Sequence, residues 1–396
     1  KTSYLSFFLI ISVIIILSFV LYNFQFLHQY NIITLLPFCV LAAIFKSNFD
    51  LNQSLFNISR RDYLFCLNIV LRPVIFVTLS LIFHNYFKIY DFALIYSLIL
   101  SFLITAIASN FLIFKKNTSG KYEKKIISKF FSYGFPLTGL FIFDYILTFS
   151  DRLLIGHYLG SDMVGMYGAN YDLIKMMVLF GMIIQGYIIY PELNNTFEKN
   201  DLNEVKKLMT FNFNIFITVF LPLCVFILYF NNSISDIFIG KKFTIMSSEL
   251  IPLFSMMFLF WGLKIHHFDY IFQLSEKTSL SMYILFFGSF INLLLNIFLI
   301  PRVELLGAAY ATFISYIIIL LISLLISRKL LKVAIDIKIL IKTVLFLSTG
   351  LIISIVSTRF GFNDFIAMAI FISCYGILTF KYNYKDLKPY FIKFYF

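Results

Sequence analysis

The sequence predicts an all-α polytopic membrane protein, with about twelve transmembrane helices arranged as a two-lobed bundle. Three observations carry that prediction. Of 396 residues, 60% are hydrophobic and only 13% are charged, whereas a soluble domain carries about 25% charged residues to cover its surface. Apolar runs long enough to cross a ~30 Å hydrocarbon core, which takes roughly 20 residues, recur from one end of the chain to the other. The runs are continuous and do not alternate apolar with polar residues as barrel strands do, so helices are the spanning form. A cytosolic enzyme, a secreted domain and a disordered or fibrous chain are excluded on the same grounds.

The runs lie at 4–22, 32–46, 63–83, 92–114, 133–156, 165–190, 210–230, 249–271, 280–300, 306–327, 339–357 and 364–380. The first begins just after Lys1 and lacks a small-residue cleavage site, so it reads as a span and not as a signal peptide. The second is short and contains Pro37; the third carries Arg72-Pro73; the fourth closes at Lys115-Lys116. The fifth opens with Tyr133-Gly134-Phe135-Pro136, and the sixth ends at Pro191-Glu192. The seventh and eighth flank the segment from Asn231 to Ser248, the ninth and tenth meet at Ile300-Pro301, and the last two lead into a lysine-bearing tail.

Lys and Arg set the orientation, since they accumulate on the cytoplasmic side. With the N-terminus placed inside, twenty-three of the 32 basic residues fall on cytoplasmic segments, six fall outside, and three (Arg72, Lys175 and Lys264) lie within spans. Both ends of the chain are therefore expected in the cytoplasm, and the net charge of +12 is accounted for without nucleic acid. Six lysines crowd the segment from Lys115 to Lys129, an anchor for anionic headgroups and a natural divider. The expected organisation is an N-terminal helical lobe of four spans at 1–114, a basic cytoplasmic linker at 115–131, a C-terminal lobe of six spans at 132–333, and two additional spans with a cytoplasmic tail at 334–396.

The four cysteines, Cys39, Cys66, Cys224 and Cys374, sit in or beside apolar runs without a C-x-x-C or Cys/His pattern, so neither a disulfide framework nor a zinc site is expected. No Walker A, nucleophile elbow, H-E-x-x-H or dinucleotide glycine pattern is present either. No catalytic residue, metal or cofactor is predicted.

The stretch from Tyr133 to Leu173, YGFPLTGLFIFDYILTFSDRLLIGHYLGSDMVGMYGANYDL, contains Ser150-Asp151-Arg152, Ile155-Gly156, Leu159-Gly160 and Val164-Gly165-Met166-Tyr167. Farther on come Asn292, Asn296, Ile300-Pro301, Leu306-Gly307-Ala308-Ala309 and Thr312. This pattern resembles the Wzx-type O-antigen and capsule repeat-unit flippases of the multidrug/oligosaccharidyl-lipid/polysaccharide exporter superfamily. The resemblance covers most of the chain. It implies a fold of up to fourteen helices whose first two have no counterpart here. It also implies a multi-pass protein of the bacterial inner membrane that moves undecaprenyl-diphosphate-linked oligosaccharide by alternating access. A polysaccharide polymerase and a chain-length regulator would be partners, besides the substrate and membrane lipids.

Charges at bilayer depth cost ~2.5–3.5 kcal/mol each on insertion scales and are functional by default. Arg72, Lys175 and Lys264, near the middle of three spans, are expected to bind the diphosphate, with Arg152 as a further contact or a lobe-closing ion pair. Local alternatives exist for two of them: Arg72 could serve a carbonyl freed by Pro73, and Lys175, three residues after Asp172 and four after Tyr171, could be neutralised by an in-helix pair. Asp144 and Asp151, seven apart and so on one helix face, are expected in gating or ion coupling, with Asp172. Asp269 is read as a solvated span end, or as exchanging protons with His266 and His267. Two other functions fit a chain of this class. A repeat-unit polymerase or glycosyltransferase would need a larger outer segment than residues 231–248. A small-molecule exporter, of a related transporter family or of the twelve-span facilitator type, would have a smaller and less cationic cavity, and the facilitator type would also carry a basic cluster after its Asp-Arg, where Leu153-Leu154-Ile155-Gly156 stands instead.

Overall fold

The computed structural model describes residues 32–59, 61–88, 92–114, 124–331 and 337–395, and among them every regular element is a helix. The chain divides into two compact units, residues 1–132 and 133–396. The expected span at 4–22 and residues 115–123 of the basic linker lie outside the described residues, whereas residues 124–131 open a helix. Each of the other eleven apolar runs falls on a helix. Among the described residues, eight helices are long and apolar enough to cross a membrane, and one of them, at 278–330, contains two of the runs.

In the first unit, α1 (Ile32–Ile58), α2 (Asp62–Asn85) and α3 (Ala93–Phe114) pack on one another. Helix α3 carries a buried stripe of Ser97, Ser101, Thr105 and Ser109 at four-residue spacing. Each hydroxyl donates to a carbonyl of its own helix, as Thr105 does to Ser101 at 2.7 Å. Small residues let helices approach closely in a bilayer, where apolar burial supplies no drive for association. Amides then tie the helices together. Asn68 of α2 donates to Ser109 at 2.7 Å and Asn52 of α1 donates to Asn110 at 2.9 Å.

The second unit begins within α4 (Lys124–Leu159) and continues with α5 (Ser161–Glu198). Gly160, at φ 92°, makes the turn between them, a backbone conformation that glycine adopts without penalty. Next comes α6 (Leu202–Ile215), a π-helical turn at Phe216–Phe220, α7 (Leu221–Tyr229) and the short α8 (Asn231–Phe238). Helix α9 (Ser247–Leu263) runs through a second π-helical turn, Lys264–Phe268, into α10 (Asp269–Leu274). The long α11 (Thr278–Leu330) is two helices joined at Glu304, where the backbone leaves helical geometry. Helices α12 (Ile337–Arg359) and α13 (Asp364–Tyr395) pair with each other. Helix α9 is the centre of this unit and packs against α5, α7 and α11. The core around it includes Tyr167, Tyr171, Phe254, Phe258 and Ile319.

The break in α11 depends on Gly307. A Cβ at that position would run into the backbone of Leu299 and Ile300, so the two halves could not fold back as closely. Gly307→Ala is expected to cost about 1–3 kcal/mol and to lower the thermal unfolding midpoint in detergent. Gly134→Ala, where a Cβ would meet nothing, should leave the midpoint unchanged or raise it slightly, because alanine is the better helix former.

Candidate functional site

Three clusters of charged side chains stand out in the second unit, on α4, α5, the π-turn after α9, α10 and α11. At the first, Asp151 of α4 is fully buried. Its carboxylate accepts three hydrogen bonds from neutral donors: Tyr167 Oη at 2.8 Å, Asn296 Nδ2 at 2.6 Å and Thr312 Oγ1 at 2.6 Å. A second ring of bonds ties those donors together. Asn292 donates to Thr312 at 3.1 Å, while Asn296 and Ser150 both donate to Asn292 Oδ1 at 3.1 Å. Asn296 Oδ1 is buried there without a partner. No basic side chain enters this cluster among the described ion pairs and hydrogen bonds, so the direct partners of Asp151 are all neutral dipoles. An unpaired buried carboxylate is costly, and oxygen ligands of this kind suit a proton or a hard monovalent cation better than a transition metal. No group of three or more His, Cys, Asp or Glu side chains able to hold a metal occurs among the described residues.

At the second cluster, Lys264 is 1% exposed and donates to Asp269 Oδ2 at 2.8 Å and to Ser281 Oγ at 3.2 Å. Ser281 in turn donates to Asp269 Oδ1 at 2.6 Å, and the ammonium lies 5.2 Å from the Trp261 ring centre. The π-turn creates this triad. In an α-helix, residues five apart point about 140° away from each other, whereas a turn with i→i+5 bonding stacks them. The turn's loosened carbonyl at His266 accepts from Asn212 Nδ2 at 2.7 Å, and Asn212 is itself held by Gln185 at 2.6 Å.

The third cluster is Arg152, whose Nη2 meets Asp172 Oδ1 at 2.5 Å, with Lys175 one turn farther along α5. Both cations face the ring of Tyr171, at 5.4 and 5.8 Å from its centre.

These placements revise several sequence expectations. Asp269 is not a solvated span end; it is buried in the ion pair with Lys264, because the π-turn rotates it inward. The histidines do not meet it. His266 Nδ1 lies 3.1 Å from Tyr270 Oη, and His267 Nδ1 lies 3.4 Å from Asn212. Asp172 does not pair with Lys175 inside α5, because it reaches across to Arg152. Asp151 and Arg152, adjacent in sequence, serve different clusters, since neighbouring residues on a helix face different ways. Asp144 is half-buried with Oδ1 unpartnered, within Coulombic range of Lys175 and Lys264. Arg72 belongs to the first unit, where its guanidinium lies 4.8 Å above the Phe102 ring. It makes no hydrogen bond to the backbone near Pro73 among the described residues. Ser281 was not singled out from the sequence, and a serine in an apolar run carries no signal that could have found it. Asn292 and Asn296 do carry one, as two amides four apart on one helix face.

A cavity of about 530 Å³ lies away from these charges, between the turn at 216–220 and α13. Its lining is apolar apart from Thr218, Tyr375 and Thr379, and none of the predicted site residues reaches it.

Long apolar helices enclosing charged clusters of this kind define the chain as a polytopic helical protein with charged side chains in its interior. Comparison with known proteins places it more closely. Residues 1–180 match the family of polysaccharide biosynthesis proteins. The chain is 26% identical over 230 residues to Agl15 of Haloferax volcanii, described as a probable low-salt glycan biosynthesis flippase. It is 24% identical over 216 residues to the uncharacterized membrane protein MJ1068 of Methanocaldococcus jannaschii. The matched regions are 57% and 53% of this chain but only 46% and 41% of those relatives, so the chain spans under half the length of the curated relatives it matches. Among solved structures, the lipid II flippase MurJ in an inward closed conformation superposes with a TM-score of 0.65 at 20% identity, over 95% of this chain and 82% of that one. An outward-facing multidrug resistance MATE family transporter of the MOP superfamily gives 0.63 at 13% identity, over 82% and 77%. The resemblance read from the sequence, to polysaccharide flippases of that superfamily, is borne out by these comparisons taken together.

The buried ion pair gives a direct test of its own. Lys264→Met or Asp269→Leu alone should cost about 3–5 kcal/mol, because either leaves an uncompensated buried charge. The double variant should recover most of that loss, as read by thermal unfolding in detergent.

Proposed function

We propose that this chain is a flippase for a lipid-linked oligosaccharide, carrying a repeat unit on undecaprenyl diphosphate from the cytoplasmic to the outer leaflet of a bacterial inner membrane. The sugar is that of an O-antigen or capsule, both chain ends face the cytoplasm, and the repeat-unit polymerase and chain-length regulator act on the product. The observation that carries this reading is the set of charged clusters inside helices long and apolar enough to span a bilayer. A sugar diphosphate headgroup cannot cross hydrocarbon unaided, since each buried unpaired polar group costs several kcal/mol. Intramembrane charges are retained where something charged must be handled. The polysaccharide biosynthesis match, the archaeal glycan flippase relative and the transporter fold support the same reading.

In this reading Arg152 and Lys175 of the second unit are cations that take the diphosphate, and Arg72 is the candidate cation of the first unit. Lys264 joins them only when it leaves Asp269. Asp151, bound by neutral donors alone, is the coupling position, where uptake of a proton or a monovalent cation changes how tightly α4, α5 and α11 are tied together. Asp144, Asp172, Asp269, His266 and His267 adjust the charge around these groups as the protein alternates between two access states.

Deleting the gene in its native cell should make complete lipid-linked repeat units build up on the cytoplasmic leaflet, with loss of surface polysaccharide. Repeat units that reach the outer leaflet but stay unpolymerised would point instead to a polymerase, and normal polysaccharide to a small-molecule exporter. Complementation with Asp151→Asn should restore the protein to the membrane at normal abundance yet leave transport at least tenfold below wild type.

A further inference from the structure

The ion pair between Arg152 and Asp172 is lopsided, and the imbalance suggests what it is for. Arg152 is held firmly without its partner. The guanidinium lies between the rings of Phe149 and Tyr171, with centroids 5.6 and 5.4 Å away. It also passes over Gly168, where a Cβ would sit 3.7 Å from Cζ. Its side chain is 24% exposed, whereas that of Asp172 is 60% exposed. The two meet through a single nitrogen and a single oxygen, so the paired fork that gives Arg its grip on an oxyanion is unused. Arg152 Nε is buried without any acceptor. Lys175, across the same Tyr171 ring, enters none of the ion pairs among the described residues. The site therefore has one anchored guanidinium with spare donors, Lys175 on the far side of the same ring, the exposed and loosely held carboxylate of Asp172, and the half-buried Asp144 within Coulombic range of Lys175.

We infer that Asp172 is a built-in competitor that occupies Arg152 in the absence of substrate, and that a diphosphate displaces it to bridge Arg152 and Lys175. This rests on the flippase reading and adds to it which two cations of this unit form the anion site and what keeps that site closed to weaker anions. A carboxylate and a phosphate oxygen use the same guanidinium donors. A single-contact, solvent-exposed pair is weak, so an anion carrying two or more charges replaces it, while chloride or a lone carboxylate gains nothing by doing so. Displaced Asp172 lies close to Lys175 on α5, three residues away, where it can follow the bound anion out and help release it.

The experiment measures binding of farnesyl diphosphate, with farnesol as the uncharged control, to the purified full chain in detergent. Asp172→Asn should tighten farnesyl diphosphate binding about five- to tenfold and leave farnesol binding unchanged. Asp172→Ser should do the same, which separates loss of charge from a new amide contact. Arg152→Gln and Lys175→Gln should each weaken binding tenfold or more, and Arg152→Gln should abolish the gain from Asp172→Asn. If wild type binds farnesyl diphosphate but both Asp172 variants bind it equally or more weakly, the competitor role is overturned while the flippase reading stands. If neither the wild type nor any folded variant distinguishes farnesyl diphosphate from farnesol, the anion site and the diphosphate-carrier reading fall together.

Discussion

A fully buried carboxylate has no water to turn to, and the second unit is arranged around that fact at Asp151. The residue is wholly buried and takes hydrogen bonds from α5 and from both halves of α11. Those bonds have consequences for every element they touch. Tyr167 can reach Asp151 only if α4 and α5 turn back on each other tightly at Gly160. Asn296 and Thr312 can converge on it only if α11 breaks at Glu304 and Gly307 lets its halves close. One charge in a low-dielectric interior thus fixes the relative placement of four helical segments. Each bond is worth more there than in water, and each one missing costs more.

The same constraint explains the two π-helical turns. A π-turn weakens the regular backbone bonding of its helix, and in hydrocarbon the loosened carbonyls must find other donors. Both turns do so across helices: Tyr375 of α13 donates to the Thr218 carbonyl at 2.7 Å, and Asn212 of α6 donates to that of His266. What the second turn gains is the stacking of Lys264 on Asp269, which converts two separate intramembrane charges into one neutral pair. Such turns occur most often at functional sites, and here the turn decides whether Lys264 is free or held.

The charges of the three clusters thereby sort into three conditions. Lys264 and Asp269 neutralise each other out of reach of solvent; Asp151 is met by dipoles; Arg152, Lys175 and Asp172 remain accessible. None of these conditions follows from residue type, since aspartate appears in each.

The helical membrane class, the positions of the spans and the family pattern were legible in the sequence, because they depend on local composition and on period. Continuous apolar runs, rare mid-span charges and motifs such as Leu159-Gly160 act over a few residues and need no partner to be recognised. The pairings were not legible. Asp172 lies within a turn of Lys175 and yet bonds Arg152, twenty positions away; Asp269 was read as solvated and is buried. Helix rotation decides such outcomes, and a single extra residue in the Lys264–Phe268 turn swings everything after it to a new face. By itself the sequence determined which residues carry charge into the membrane, since hydropathy is a property of the chain. Only the tertiary structure decided which charge meets which, because that depends on the angular register of helices packed against one another.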